Sequence, residues 1–262
     1  MKTRILTTIN EIEKHHQVKI VYACESGSRA WGFPSKDSDY DVRFIYVHKK
    51  DHYLSIDPVG VGKKRDVIEL PIDDLLDMSG WELTKALKLF RKSNPPLLEW
   101  MHSPIVYYTA FSTMERMKQL EKDIFAPHSC MYHYLNMTRK NYREHLQRDQ
   151  VKLKKYFYAL RPVLASKWIE QFNEFPPLEF QTLLENMIPE GKVKSEIERL
   201  LKRKMAGDEL DKEAPISLIN EFLHEEIIRL EAYAKTMNCA LPDPTEKLDT
   251  FFRETLDEVW QG

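Results

Sequence analysis

Asp39 and Asp41 stand one residue apart at the head of an apolar run, Val42-Arg43-Phe44-Ile45-Tyr46-Val47. In an extended strand, side chains at i and i+2 share a face, so both carboxylates converge on one place. Held side by side they repel, and a cation relieves that cost. An all-oxygen set suits Mg²⁺ (or Mn²⁺), which binds through one or two carboxylates plus substrate phosphates. Upstream, the run Val18-Lys19-Ile20-Val21-Tyr22-Ala23-Cys24 leads into Gly27-Ser28, with ten residues between Ser28 and Asp39. Glycine lets the backbone approach a phosphate closely, and Ser28 adds N–H and hydroxyl donors. Arg29 follows as a further phosphate contact. The chemistry these residue types suit is transfer of a phosphorus-containing group.

The elements that must place these residues can be read from periodicity. Ile5, Ile9 and Ile12 predict a helix, 18–24 a strand, 32–38 a loop and 39–47 a second strand. That strand carries Val42, Phe44 and Tyr46 on one face and Asp39, Asp41 and Arg43 on the other. Residues 54–64 bear glycine and read as a hairpin excursion; 65–70 and 75–78 read as strands. From Trp81 the pattern is helical through Phe90. Pro95-Pro96 is expected to stop that helix, with a short one starting at Leu97. Beyond Phe111 no stretch reads as a strand. Helical periodicity runs through 114–120, 132–147, 152–172, 178–187, 195–205, 215–237 and 245–260. The expected fold is α+β: a mixed sheet flanked by helices over residues 1–110, then an all-helical domain over 111–262.

Bulk properties bound the class. The chain has 262 residues, 39 basic and 41 acidic, so net charge names no partner. Three cysteines (Cys24, Cys130, Cys239) without a CxxC argue against a disulfide scaffold or structural zinc. The histidines show no HExxH spacing. No run approaches ~18 apolar residues and the N-terminus lacks a signal-peptide core, so a cytoplasmic protein without a membrane partner is expected. Nothing in the sequence sets an oligomeric state.

Strand, Gly-Ser, turn and Asp-x-Asp together resemble the nucleotidyltransferases of the DNA polymerase β superfamily. Further stretches resemble, more narrowly, the bacterial and phage RNA-repair-pathway polymerase-β-like family: Glu25 to Gly32, Asp77 to Glu82, Lys92 to Trp100 with Ser103 to Tyr107, and Lys155 to Pro162. The resemblance implies a metal-dependent enzyme that takes an NTP, with Asp39 and Asp41 as metal ligands and a third carboxylate on a later strand. Asp77, in Leu76-Asp77-Met78 just before a helix, is favoured; Glu69 has a similar setting and Asp66 is near. Asp77 is also expected nearest the attacking hydroxyl, as general base or metal bridge. Two divalent ions roughly 3.5–4 Å apart can serve such a transfer.

Residues 138–167 hold nine Lys or Arg against two acids, a local charge of +7. Arg139, Lys140 and Arg143 are expected on one helical face suited to an RNA backbone. Lys155 and Arg161 follow the apolar periodicity and are expected to reach the nucleotide. The expected acceptor is an RNA or tRNA end. The alternatives are a small-molecule or protein acceptor, and a catalytically idle nucleotide-binding or antitoxin-like module.

Overall fold

The computed structural model describes residues 1–35, 38–62, 65–207, 212–238 and 243–261. The chain forms two compact units, each assembled from separate segments. The first takes Met1–Gly27, Asp39–Phe125 and the C-terminal helix. The second takes the segment from Ser28 to Ser38 and the chain from Ala126 onward up to that helix. A single cut after residue 110 therefore does not separate them, because the motif loop and the C-terminal helix each belong with a part of the chain remote in sequence.

The first unit begins with α1 (Lys2–His16) and β1 (Val18–Glu25). Lys14 lies in the last turn of α1, where a cation meets the negative end of the helix dipole. Gln17 then turns left-handed at φ 56° and ends it. After the short α2 (Gly27–Ala30) come β2 (Tyr40–His48), α3 (Lys50–Tyr53), β3 (Val67–Asp73) and β4 (Leu76–Glu82). Then follow α4 (Leu83–Arg91), α5 (Pro95–Met101), β5 (Val106–Thr109) and α6 (Thr113–Ile124). The sheet order is β3-β4-β2-β1-β5. Only β2 and β4 pair in parallel; the other neighbours are antiparallel.

Ile5, Ile9 and Ile12 of α1 pack on one sheet face with Val18, Ile20, Ala23, Val42, Phe44, Tyr46 and Met78. Each such side chain contributes roughly 1.5–3 kcal/mol on burial. A β-carbon at Gly80 would overlap the Phe44 ring, so glycine there makes room for that core aromatic. The opposite face of β2 carries Asp41 and Arg43, as the alternation predicts. A bulge between Ile20 and Tyr22 shifts the register of β1 by one residue. Ala23 and Glu25 thereby fall on the α1 side, opposite the face an unbroken alternation would give them.

Several local expectations are corrected. Residues 54–62 form bends and turns, not a hairpin; residues 63 and 64 lie outside the described residues. Pro95 and Pro96 do not merely stop α4: Asn94 caps α5, its Oδ1 accepting the Leu97 N–H at 3.4 Å, and the prolines open the first turn, where no amide donor is needed. Helix α12 (Thr245–Trp260) joins the first unit through Lys247–Asp123 at 2.9 Å, Arg116–Glu254 and Lys50–Asp257. Glu258 also accepts the Ser112 N–H at 2.8 Å and its hydroxyl at 2.7 Å.

The second unit is built from α7 (Pro127–Asn141), α8 (Lys155–Phe172), α9 (Phe180–Met187), α10 (Lys192–Ala206) and α11 (Ser217–Ala234). A π-helical turn, Tyr142–Leu146, follows α7. A two-residue ladder pairs β6 (Val151–Lys152) with β7 (Lys212–Glu213), strands the helical periodicity concealed. Helix α8 is apolar almost all round and its middle is buried. Cys24 and Cys130 are buried, and burial pushes the Cys24 thiol up to about 12. Cys239 lies outside the described residues. Among the described residues no helix is long and apolar enough to cross a membrane.

Candidate active site

In the parallel ladder of β2 and β4, Asp41 is the register partner of Asp77. Register partners share a face and lie one strand spacing apart, about 4.8 Å. Asp39 sits exposed just before β2. Glu69 pairs with Ser79 on β3, one strand beyond β4 and roughly 10 Å from β2. Asp66 is occupied by Lys85, whose Nζ lies 3.1 Å away. Of the three candidates for a third carboxylate, Asp77 is thus the one that stands beside Asp41.

Gly27 faces the same place. Its φ is +63°, and a β-carbon there would overlap Asp41 Oδ2. Any other residue would both strain the backbone and push the carboxylate aside. The sequence suggested a phosphate as the reason for this glycine; the structure adds Asp41. The Ser26 N–H donates to the Asp41 carbonyl at 2.9 Å, closing the strand against the turn.

Two residues at the centre have roles the sequence did not assign. Glu25 is buried, and its Oε1 accepts the Asp41 N–H at 2.8 Å while its other oxygen accepts the Tyr107 hydroxyl. Ser103 Oγ donates to the Glu25 carbonyl at 2.7 Å. A carboxylate on the core side thus fixes the backbone of the aspartate on the charged side. Arg43, two residues after Asp41, donates from Nη2 to Asp41 Oδ1 at 2.8 Å and from Nη1 to Asp77 Oδ2 at 2.7 Å. Its position on the carboxylate face was legible from the i+2 spacing; its bridging role depends on Asp77, thirty-four residues away.

Burial pushes the Asp41 carboxyl above its usual range. Arg43 opposes that shift, and the charges of Asp39 and Asp77 add to it. The donor chemistry fits Mg²⁺ or Mn²⁺: Arg43 takes one oxygen of Asp41 and one of Asp77, leaving Asp41 Oδ2 and Asp77 Oδ1 outside the bridge. Among the described residues, however, no three His, Cys, Asp or Glu stand together as a ready metal cage. The Arg43 guanidinium spans the two aspartates instead.

Ser28, Arg29, Lys155 and Arg161 belong to the second unit. Arg29 Nη2 donates to the Ser38 carbonyl at 2.7 Å, and Ser28 Oγ lies 3.4 Å from Ser38 Oγ. The loop after Gly27 is anchored on the helices. The Trp31 carbonyl accepts the Phe180 N–H at 2.9 Å, Phe33 packs on Phe157 and Phe180, and Lys204 Nζ reaches Ser35 Oγ at 2.8 Å. Arg161 is the one predicted phosphate contact whose surroundings point elsewhere. It is buried, lies over the Trp31 ring at 4.8 Å and donates to the Leu178 carbonyl at 3.3 Å, so its guanidinium braces the loop. Lys155 is half-buried over Tyr158.

The basic segment is less uniform than its sequence. Arg139 contacts Glu231 at 3.3 Å and Asn136 at 2.7 Å, and Lys167 pairs with Glu226 at 3.0 Å. Arg143 lies on the π-helical turn, outside α7, so it does not continue the face of Arg139 and Lys140 with α-helical spacing. Lys140, Arg143, Arg148, Lys152 and Lys154 are exposed.

A mixed sheet with Gly-Ser after its first strand and register-paired aspartates on the parallel strands β2 and β4 is the frame of a polymerase-β-like nucleotidyltransferase. The chain belongs to the RNA repair pathway DNA polymerase beta family, whose model matches residues 1–254. It is 52% identical over 261 residues to an uncharacterized Bacillus subtilis (strain 168) protein, YcgL, covering 100% of this chain and 98% of that one. It also matches a crystal structure at 1.90 Å of a nucleotidyltransferase-like protein from Exiguobacterium sibiricum 255-15. That match has 11% identity and a TM-score of 0.33, over 97% of this chain and 79% of the other.

Proposed function

We propose that the protein is a divalent-metal-dependent nucleotidyltransferase that moves a nucleoside monophosphate from an NTP to a hydroxyl at an RNA end. The observation that carries this is the register pair Asp41–Asp77 on adjacent parallel strands, with Gly27 closed against Asp41. The acceptor oxygen forms a bond to the α-phosphorus, the bond to the bridging oxygen breaks, and pyrophosphate leaves. Mg²⁺ or Mn²⁺ supplies neutralisation of the developing charge when bound. Asp39, Asp41 and Asp77 would hold it. Asp77 takes up the acceptor hydroxyl's proton, and its side chain is the more open of the register pair, 42% exposed against 28% for Asp41. Glu25 keeps the backbone of Asp41 fixed. Ser28 and Arg29 are the donors proposed for the phosphates.

The RNA acceptor rests on the family's link to RNA repair and on the exposed cations around Lys140 and Arg143. One observation favours the idle-module reading: Arg43 satisfies Asp41 and Asp77 without any ion. Incubation with each α-³²P-labelled NTP, Mn²⁺ and total cellular RNA separates the readings. Label is expected in RNA, and Asp41→Asn is expected to remove it. Label in a small molecule or in protein would replace the acceptor, and no label with any NTP would favour the idle module.

A further inference from the structure

We propose that Arg43 is a resident cation of the carboxylate centre, so that the centre takes one divalent ion and not two. This rests on the metal-dependent reading above. Arg43 projects from β2 on the same face as Asp41, and its side chain is only 19% exposed. Three acceptors fix the guanidinium: Asp41 Oδ1 at 2.8 Å, Asp77 Oδ2 at 2.7 Å and the Val42 carbonyl at 3.2 Å. A planar fork meets two carboxylates at once in a way that a lysine ammonium does not.

Charge and space both point to one ion. Asp39, Asp41 and Asp77 carry three formal negative charges, and Arg43 leaves two. One divalent ion neutralises that remainder; a second would leave the centre with an excess of positive charge before the triphosphate arrives. Paired ions in such sites stand roughly 3.5–4 Å apart and share carboxylate oxygens between them. Here the guanidinium lies between the two carboxylates and uses one oxygen from each. The oxygens of the register pair that it does not use, Asp41 Oδ2 and Asp77 Oδ1, hold one ion together with Asp39, with water or phosphate completing its shell. A guanidinium neutralises and orients, but unlike a metal it does not coordinate an oxygen. Arg43 therefore takes over the electrostatic share of a second ion and leaves coordination to the first.

The test uses the full chain and Mn²⁺ alone, with free Mn²⁺ read by electron paramagnetic resonance and folding checked by circular dichroism. The wild type is expected to saturate at one Mn²⁺ per chain and Arg43→Met at two. A wild-type stoichiometry of two overturns the proposal, as does Arg43→Met remaining at one. Should Arg43→Met not fold, the wild-type count still decides. Asp41→Asn is expected to lose the ion. Equal binding by Asp41→Asn and the wild type would overturn the metal centre itself, an outcome distinct from a count of two.

Discussion

Strand β4 carries two carboxylates five residues apart, and they live in opposite ways. Asp77 points to the charged face, is 42% exposed, and shares Arg43 with Asp41. Glu82 ends the strand fully buried; its Oε1 accepts the Tyr53 hydroxyl at 2.7 Å and its Oε2 the Thr84 N–H at 2.7 Å, capping α4. Burial pushes the Glu82 carboxyl up, and its bonds to Thr84 and Tyr53 pull back only part of that. A carboxylate that must receive a cation keeps an oxygen toward solvent and a charge beside it. A carboxylate that must hold a strand to a helix spends its oxygens on neutral donors.

The sharpest way to break that contrast is to neutralise each in turn. Asp77→Asn is expected to cut pyrophosphate release by at least about 100-fold, the scale on which charge-stabilising groups act. Its urea midpoint should stay near that of the wild type. A large loss of stability with activity kept would make Asp77 a second Glu82. Glu82→Ala is expected to do the reverse: about 2 kcal/mol lost through an empty cap and an unpaired Tyr53 hydroxyl, with turnover of the folded enzyme maintained. Urea unfolding alongside a turnover assay reads both.

A pH series sharpens the same contrast. Because the folded Glu82 binds its proton more tightly than the unfolded one, its contribution is fully present below the unfolded pKa. It is lost as pH rises through the raised folded value. Glu82→Gln lacks that titration, so its stability relative to wild type should rise with pH above about 4.3. A constant difference between the two from pH 4 to 8 would contradict the assigned cause. The smallest effect concerns the acceptor. RNA affinity should fall with salt, and Lys140→Ala/Arg143→Ala should lower the slope of log affinity against log salt by about 2 at most, read by filter binding.

How far the sequence revealed this depends on where each partner sits. Asp39 and Asp41 were legible because strand geometry makes i and i+2 neighbours without any tertiary knowledge. Asp77 was legible as a carboxylate in an apolar strand before a helix. Glu25 was not, because the bulge in β1 leaves no mark in a run that is apolar on both faces. The packing of Arg161 on Trp31 was not legible, because the two residues stand 130 positions apart. The 1–110 boundary followed a change in element type, and that change does not track which segments pack together.

The placement of α12 has a consequence for how the chain is made. One helix of the sheet unit follows the helical unit in chain order. A polypeptide growing from its N-terminus therefore exposes every segment of the helical unit before α12 emerges to pair Lys247 with Asp123 and Glu258 with Ser112. Vectorial synthesis thus completes the part that carries the aspartates only after the helical unit has been made.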